Sequence, residues 1–167
     1  MPISELLLPE FDQEMKTTRL TLERVPFDKQ DFAPHAKSMP MGKLAPHVAE
    51  LAGFGTTILT SPGLDFSSGP ARVRPPFELN GILKAFDDNV SRTRSALQNT
   101  NDDAWLQEWK LSFQGKPIFG GSRFMAYRQM FLNHLVHHRA QLGVYLRLNN
   151  KPLPATYGPS ADDTMGF

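Results

Sequence analysis

The chain contains no cysteine. This absence excludes disulfides, thiolate metal sites and cysteine nucleophiles, so any thiol chemistry must use a sulfur that a bound substrate brings. Long hydrophobic runs are also missing, and none approaches the length of a membrane-spanning helix. The first residues lack the basic start and long apolar stretch of a signal peptide, since acidic side chains surround the leucines. We therefore expect a cytoplasmic protein without a membrane partner.

Neither basic nor acidic residues are in clear excess. The chain has 18 basic and 17 acidic residues, a formal net charge of +1, and the two signs are interleaved. No strong field would attract a phosphate backbone, which argues against a nucleic-acid partner. The densest basic stretch, Arg72 to Arg74, is interpreted as a solvated loop.

The apolar residues that are present recur at helical spacing in four segments. They predict helices from Ile3 to Arg24, from near Ser38 to a stop at Ser61, from Leu79 to a stop at Asn99, and from Arg123 to about Leu148. Pro46 is expected to bend the second helix or to delay its start. Between the last two helices, apolar and polar residues alternate from Trp109 to Phe113, which predicts a short extended stretch or a small hairpin.

Residues 61–78 hold four prolines and two glycines, a composition typical of a long irregular connection. In a helical bundle, a connection of this length suits a crossover between parallel neighbours better than a tight antiparallel turn. The length of 167 residues is enough for one domain with a buried core. We expect a single domain over residues 1–167, with an extended tail from about residue 150 whose Leu153 and Tyr157 lie back on the helices.

Three of the five histidines lie on predicted inward helix faces. His134 and His138 are four residues apart, so their rings project from one face of the last helix and can bind one ion. His47 on the second helix supplies a third ligand if the two helices face each other. Three imidazoles leave a coordination position open, as in catalytic zinc sites. The alternative is a set of hydrogen-bonded core histidines without a metal.

The remaining two histidines are interpreted differently. His137 projects about 100° away from His138 and is expected to flank the site. His35, in a proline-rich loop, is expected to be a capping or surface residue. The glutamate of HExxH metalloproteases is absent because Leu135 follows His134. The pair therefore predicts metal binding without the proteolytic base.

The segments "LAPHVAEL" and "NHLVHHRAQLGVYLR", followed by "PLPATYGPSADD", resemble the DinB superfamily of metal-binding bundles. The resemblance extends over most of the chain and carries an H-x-x-x-H-R-x-Q pattern with an upstream helical histidine. It implies an all-α fold, namely a four-helix bundle with a long connection between helices two and three. It also implies a site for one divalent metal ion, with His47, His134 and His138 at the ligand positions, and a homodimer.

Characterised members of that superfamily include thiol-dependent S-transferases and a thiol-dependent isomerase, whereas many members have no demonstrated activity. The resemblance thus favours a metal-dependent enzyme of the S-transferase type that acts on a small-molecule substrate with a low-molecular-weight thiol. A hydrolase that activates water, and a non-catalytic metal-binding bundle, are the alternatives. Three imidazoles accept several divalent ions, among which we expect zinc or nickel.

Residues around the ligands are expected to support them. Metal-bound imidazoles usually donate their other N–H group to a carboxylate or carbonyl. Glu14, at the edge of the inward face of the first helix, is the candidate acceptor, and an exposed surface glutamate is the alternative. Arg139 and Gln141 flank the site, either binding an anionic substrate group or tying the last helix to the first. The structural tie is the favoured reading.

Overall fold

The structure, a computed structural model, describes residues 1–68 and 74–166, and most of these residues are helical. The helices are α1 (Ile3–Leu22), α2 (Met41–Thr60), α3 (Leu79–Gln98), α4 (Asp102–Leu106), α5 (Arg123–Ala126), a π-helical segment (Tyr127–Leu132) and α6 (Asn133–Leu148). The strands are β1 (Gly63–Asp65), β2 (Glu108–Phe113) and β3 (Lys116–Ser122). The interpretation of Arg72 as part of a solvated loop lies outside the described residues.

Helix α1 confirms the first predicted helix. It begins at Ile3 as expected and ends at Leu22, two residues before the predicted end. Its buried face includes Leu7, Phe11 and Met15, which follow one another at the predicted spacing of four residues.

Helix α2 begins three residues later than its sequence predicts. Pro40 is the residue that precedes it, and the backbone N–H groups of Met41 and Gly42 donate to the carbonyl oxygens of Phe32 and Gln30, each at 2.8 Å. The preceding loop therefore supplies the acceptors that a capping side chain at residue 38 would otherwise supply. Pro46 lies inside the helix and does not delay its start.

The connection over residues 61–78 joins two parallel helices, as predicted. The amide of Asn89 donates to the carbonyl oxygen of Ala49 at 2.9 Å, and the hydroxyl of Thr93, one turn further on, donates to that of Ala52 at 2.6 Å. Contacts that advance together on both helices show that α2 and α3 run in the same direction. For α3 to start at the same end of the fold as α2, the chain must return along the length of α2, and this requires the long connection.

Helix α1 runs antiparallel to α3. Arg94 pairs with Asp12 at 2.8 Å, whereas Arg19, further along α1, pairs with Asp87, an earlier residue of α3, at 2.9 Å. Both ion pairs are exposed to solvent, so they mark the alignment of the helices rather than explain their association.

The core lies between these long helices and is rich in aromatic rings. Phe131 contacts Phe11 of α1 and Tyr127, with ring centroids 6.3 and 5.1 Å apart. Tyr127 in turn meets Trp105 edge to face at 5.3 Å. All four side chains are fully buried, so α1, α4 and the π-helical segment share one apolar interior.

The expectation of an all-α chain is correct only in its coarse form, because the described chain also contains a three-stranded sheet in the order β1–β2–β3. The predicted hairpin is confirmed: β2 and β3 pair antiparallel through a turn in which Gln114 and Gly115 have positive φ angles of 52° and 74°. Strand β1 was not predicted. It pairs parallel to β2 inside the connection, and its Asp65 accepts from Ser112 at 2.9 Å and from the N–H of Gly115 at 2.9 Å.

The last predicted helix is confirmed in its ends but is not regular throughout. It begins at Arg123 and ends at Leu148, and its second part is π-helical. In that segment the N–H of Asn133 donates to the carbonyl oxygen of Arg128, five residues back. A π turn holds an extra residue and often occurs at functional sites. Here it ends at Leu132, two residues before His134.

Within the described residues, no helix is both long enough and apolar enough to cross a membrane.

Candidate metal centre

The two histidines of α6 direct their rings at each other. His134 and His138 lie one helical turn apart, as their spacing predicts, and their Nε2 atoms are 2.9 Å apart. Both side chains are half-buried. One face of α6 therefore presents two imidazole nitrogens to a single point in space.

His47 joins this pair from α2. Its ring centroid lies 4.6 Å from that of His138 and 5.5 Å from that of His134. A close approach of the helices makes this possible: a Cβ atom at Gly55 would lie 2.9 Å from a ring carbon of Phe131. Because Gly55 has no side chain, α2 packs directly against the π-helical segment, and His47 lies opposite α6.

The three side chains form a group of the size that one ion requires. One ring nitrogen from each histidine lies within 4.8 Å of the other two. Three nitrogens around a tetrahedral ion, each at 2.0 to 2.1 Å from it, lie about 3.3 Å apart. Side-chain shifts of about 1 Å therefore bring the group onto one ion.

The other ring nitrogens of the α6 pair face oxygen atoms. Nδ1 of His138 lies 2.8 Å from Oε1 of Gln141, and Nδ1 of His134 lies 3.3 Å from the carbonyl oxygen of Met130. Both oxygens are acceptors, so in this arrangement each neutral ring hydrogen-bonds to its oxygen with the proton on Nδ1. Each Nε2 then carries a lone pair. Two lone pairs face each other at 2.9 Å, an arrangement that a shared cation stabilises.

The same contacts bear on the alternative, a pair of hydrogen-bonded core histidines. A neutral hydrogen bond between the two Nε2 atoms would need a proton on one of them. On His134, that tautomer turns an Nδ1 lone pair towards the carbonyl oxygen of Met130, which costs a hydrogen bond. On His138, the amide of Gln141 can rotate and donate an N–H group to Nδ1 instead. Three neutral imidazoles within reach of one another are a donor set that fits a divalent ion.

Burial keeps these rings neutral. Desolvation by burial is the main cause that lowers the pKa of His134 below its ordinary value, and it also lowers the pKa of His138. Nearby His137 lowers both pKa values further through charge repulsion. A neutral imidazole is the form that binds a metal, so fewer protons compete for these nitrogens.

Glu14 was predicted to accept from a metal-bound imidazole, but its carboxylate bonds to other residues. Its carboxylate pairs with the guanidinium of Arg139, with Nη1 and Oε2 at 2.6 Å, and accepts from the hydroxyl of Tyr157 at 2.8 Å. Arg139 also donates to the carbonyl oxygen of Glu14 and to the hydroxyl of Tyr157. These contacts join α1, α6 and the tail, so Arg139 forms the tie between the first and last helices rather than an open anion site.

The sequence prediction placed Gln141 beside the site, and the structure shows it at Nδ1 of His138. The carbonyl of Met130 was missed, because a backbone oxygen has no sequence signal. His137 is exposed, with its ring 4.8 Å from that of His138. His35 is exposed in its loop, where its Nδ1 accepts from the N–H of Lys37.

Comparisons with known proteins identify the fold of this chain. A DinB-like protein from Bacillus cereus ATCC 10987 superposes with a TM-score of 0.69 and 20% identity, covering 93% of this chain and 98% of that one. A second DinB-like protein, YjoA from Bacillus subtilis, gives a TM-score of 0.68 with 16% identity, covering 90% of this chain and 96% of that one. The structural neighbours of this chain are thus DinB-like proteins.

In sequence, the chain is 26% identical over 133 residues to YrdA of Bacillus subtilis strain 168, a protein described as uncharacterized. The match covers 79% of this chain and 74% of YrdA. No family model matches the sequence.

Proposed function

Starting from a chain with the fold of DinB-like proteins, we propose that this protein binds one divalent metal ion through His47, His134 and His138. One observation carries the proposal: nitrogens of three imidazoles from two helices lie within 4.8 Å of one another. The acceptors at both Nδ1 atoms of the α6 pair add to it, because they leave the Nε2 lone pairs free for the ion.

Elemental analysis of the purified protein tests this proposal. We expect close to one divalent ion per chain in the wild type and a loss of that ion in His134→Ala and in His138→Ala. His35→Ala is the matched control, since the exchange is the same and His35 is an exposed loop residue outside the three-histidine group. Full occupancy in the two α6 variants would contradict the proposal.

The site further supports catalysis, because coordination positions are left open. In the described part of the chain, the group that can share one ion consists of the three histidines and includes no carboxylate. The three side chains are half-buried, so solvent and small molecules reach them. A divalent ion at such a site lowers the pKa of a thiol or a water molecule that binds to it.

Among metal-dependent reactions, we favour transfer of a thiol substrate to an electrophile. The chain has no cysteine of its own, so the nucleophilic sulfur comes from a low-molecular-weight thiol. The sulfur forms a bond to the electrophilic carbon, the leaving group departs with its electron pair, and the thiol proton passes to solvent. The chain's part is to hold three neutral imidazoles in place and to leave the remaining positions accessible.

A cobalt-substituted protein separates this reaction from its alternatives. On titration with a low-molecular-weight thiol, we expect the visible spectrum to gain a sulfur charge-transfer band. A spectrum that is unchanged at saturating thiol would exclude direct thiol binding and would favour a hydrolase that activates water. A fourth protein ligand on the bound ion would favour a purely structural metal.

Zinc or nickel is the ion that we propose, since three nitrogen donors without thiolate or carboxylate suit both. Metal analysis of protein purified without added metal tests this choice. We also propose a cytoplasmic location, because that compartment keeps a thiol substrate reduced. Fractionation of cells that produce the tagged protein checks the location.

The long helices are proposed to form one four-helix bundle, made of α1, α2, α3 and the helix from Arg123 to Leu148, with the sheet as an addition at its edge. The contacts of α2 with α3, of α1 with α3 and of α2 with α6 support this grouping. A homodimer is proposed as well. Val144 and Leu148 of α6 are 57% and 55% exposed, and they border a cavity of about 470 Å³ between α6 and the tail. This apolar face supports association with a second copy.

A further inference from the structure

The side chain of Gln141 meets the metal ligand His138 at the nitrogen that points away from the site. We propose that Gln141 is a positioning residue that holds His138 in the Nδ1–H tautomer and directs its Nε2 lone pair at Nε2 of His134. The inference rests on the proposed metal-binding function and deepens it. It concerns the ligand-free protein as well, because a tautomer exists with or without a metal.

The geometry supports this role through the hydrogen bond itself. Gln141 lies three residues after His138 on α6, so the two side chains share one face. The distance from Nδ1 to Oε1 is 2.8 Å, within the usual range for an N–H group and an oxygen acceptor. An isolated neutral histidine favours the proton on Nε2, which would block metal binding at that atom. The acceptor at Nδ1 reverses the preference.

The corresponding contact of His134 is of a different kind. Its Nδ1 faces the backbone carbonyl of Met130 at 3.3 Å, which is longer and is supplied by the helix itself. No side-chain exchange at residue 130 removes that oxygen. Gln141 is therefore the point at which a substitution can change the tautomer of one ligand and leave the other ligand unaltered.

Two exchanges at Gln141 have opposite expected effects. Gln141→Leu removes the acceptor, so His138 should shift towards the Nε2–H tautomer. Loss of such an outer hydrogen bond typically weakens metal binding by about 10- to 100-fold. Gln141→Glu keeps an acceptor and adds negative charge, which raises the basicity of the ring. Metal binding should then be as tight as in the wild type or tighter.

The first measurement uses ligand-free, ¹⁵N-labelled protein at a pH where the imidazoles are neutral. Long-range proton–nitrogen spectra distinguish the two tautomers, and His138→Ala assigns the signals. We expect the Nδ1–H tautomer for His138 in the wild type and in Gln141→Glu, and a shift towards Nε2–H in Gln141→Leu. Gln98→Leu is the control, since Gln98 is an exposed glutamine at the end of another helix, α3.

The second measurement is zinc affinity by competition with a chelating dye. Gln141→Leu should bind zinc about 10- to 100-fold more weakly than the wild type, whereas Gln141→Glu and Gln98→Leu should not. The inference is overturned if His138 keeps the same tautomer in Gln141→Leu, or if that variant binds zinc as tightly as the wild type. If the wild type binds neither zinc nor nickel but the tautomer shifts as expected, the proposed function fails and the role of Gln141 in orienting His138 stands.

Discussion

Replacing Glu14 by glutamine removes one charge from the buried pair that joins α1 to α6. Glu14 and Arg139 are only 6% and 4% exposed, and their closest charged atoms are 2.6 Å apart. Glutamine has nearly the same shape, and its amide oxygen can still accept from the hydroxyl of Tyr157. The main consequence of Glu14→Gln is therefore a buried guanidinium without a counter-ion.

The expected cost is large because the remaining charge stays out of water. Removing one partner of a buried ion pair typically lowers the free energy of unfolding by about 3 to 5 kcal/mol. For a chain of this length, each kcal/mol corresponds to about 2 to 4 °C in Tm. Glu14→Gln should therefore lower Tm by about 6 to 20 °C.

A double-mutant cycle separates the charge effect from a loss of packing. Arg139→Met leaves the Glu14 carboxylate unpaired and should also be strongly destabilising. The double variant Glu14→Gln with Arg139→Met has no charge left, so its loss should be well below the sum of the two single losses. Asp12→Asn is the matched control, because it removes one charge from the exposed Asp12–Arg94 pair between α1 and α3. Solvent screens that pair, so its loss should have little effect.

Urea unfolding followed by far-ultraviolet circular dichroism measures these differences in the metal-free protein. Metal-free samples are needed because a bound ion stabilises the folded state by itself. The reasoning would be refuted if Glu14→Gln were no more destabilising than Asp12→Asn. It would also be refuted if the two single losses simply added in the double variant.

Further predictions concern the metal, the pH and the assembly. His47→Ala should weaken zinc binding less than His134→Ala or His138→Ala, because two ligands remain on one rigid helix; dye competition measures the order. Burial lowers the pKa of His134 and His138, so metal occupancy after dialysis should fall only below their ordinary pKa of about 6.5. Loss of the metal at a higher pH would contradict this. Burial raises the pKa of Tyr127, so the folded state keeps a proton that the unfolded state loses. Stability should thus fall as pH rises above about 10, and less so in Tyr127→Phe; urea unfolding measures it. Light scattering should give a dimer mass at micromolar concentration, and Val144→Arg should give the monomer mass.

Local patterns predicted most of the helices. The stripe of α1, the ends of the helix from Arg123 to Leu148 and the hairpin after Trp109 depend on neighbours a few residues away, so their spacing is visible in the sequence. The start of α2 was predicted less well. Its first N–H groups bond to carbonyl oxygens of the preceding loop, and such acceptors leave no pattern at residue 38.

The sequence likewise predicted one part of the candidate site and left another part to the packing of the helices. The spacing of His134 and His138 determines by itself that two rings share one face of a helix. That His47 lies within reach of them depends on the packing of α2 against the last helix, which Gly55 permits. The sequence suggested this packing through the position of His47 on an inward face, but it does not give the distance between the histidine rings.

By itself, the sequence determined the absence of thiol ligands, the four long helical stretches and the three histidines on inward faces, because these follow from composition and from periodicities of three to four residues. Only the tertiary structure decided the pairing of β1 with β2, since a three-residue strand has no period of its own. It also decided the partner of Glu14. The sequence pattern of a glutamate at a helix edge is the same whether its side chain contacts a histidine, water or an arginine 125 residues away. Only the packing of the helices brings Arg139 to Glu14.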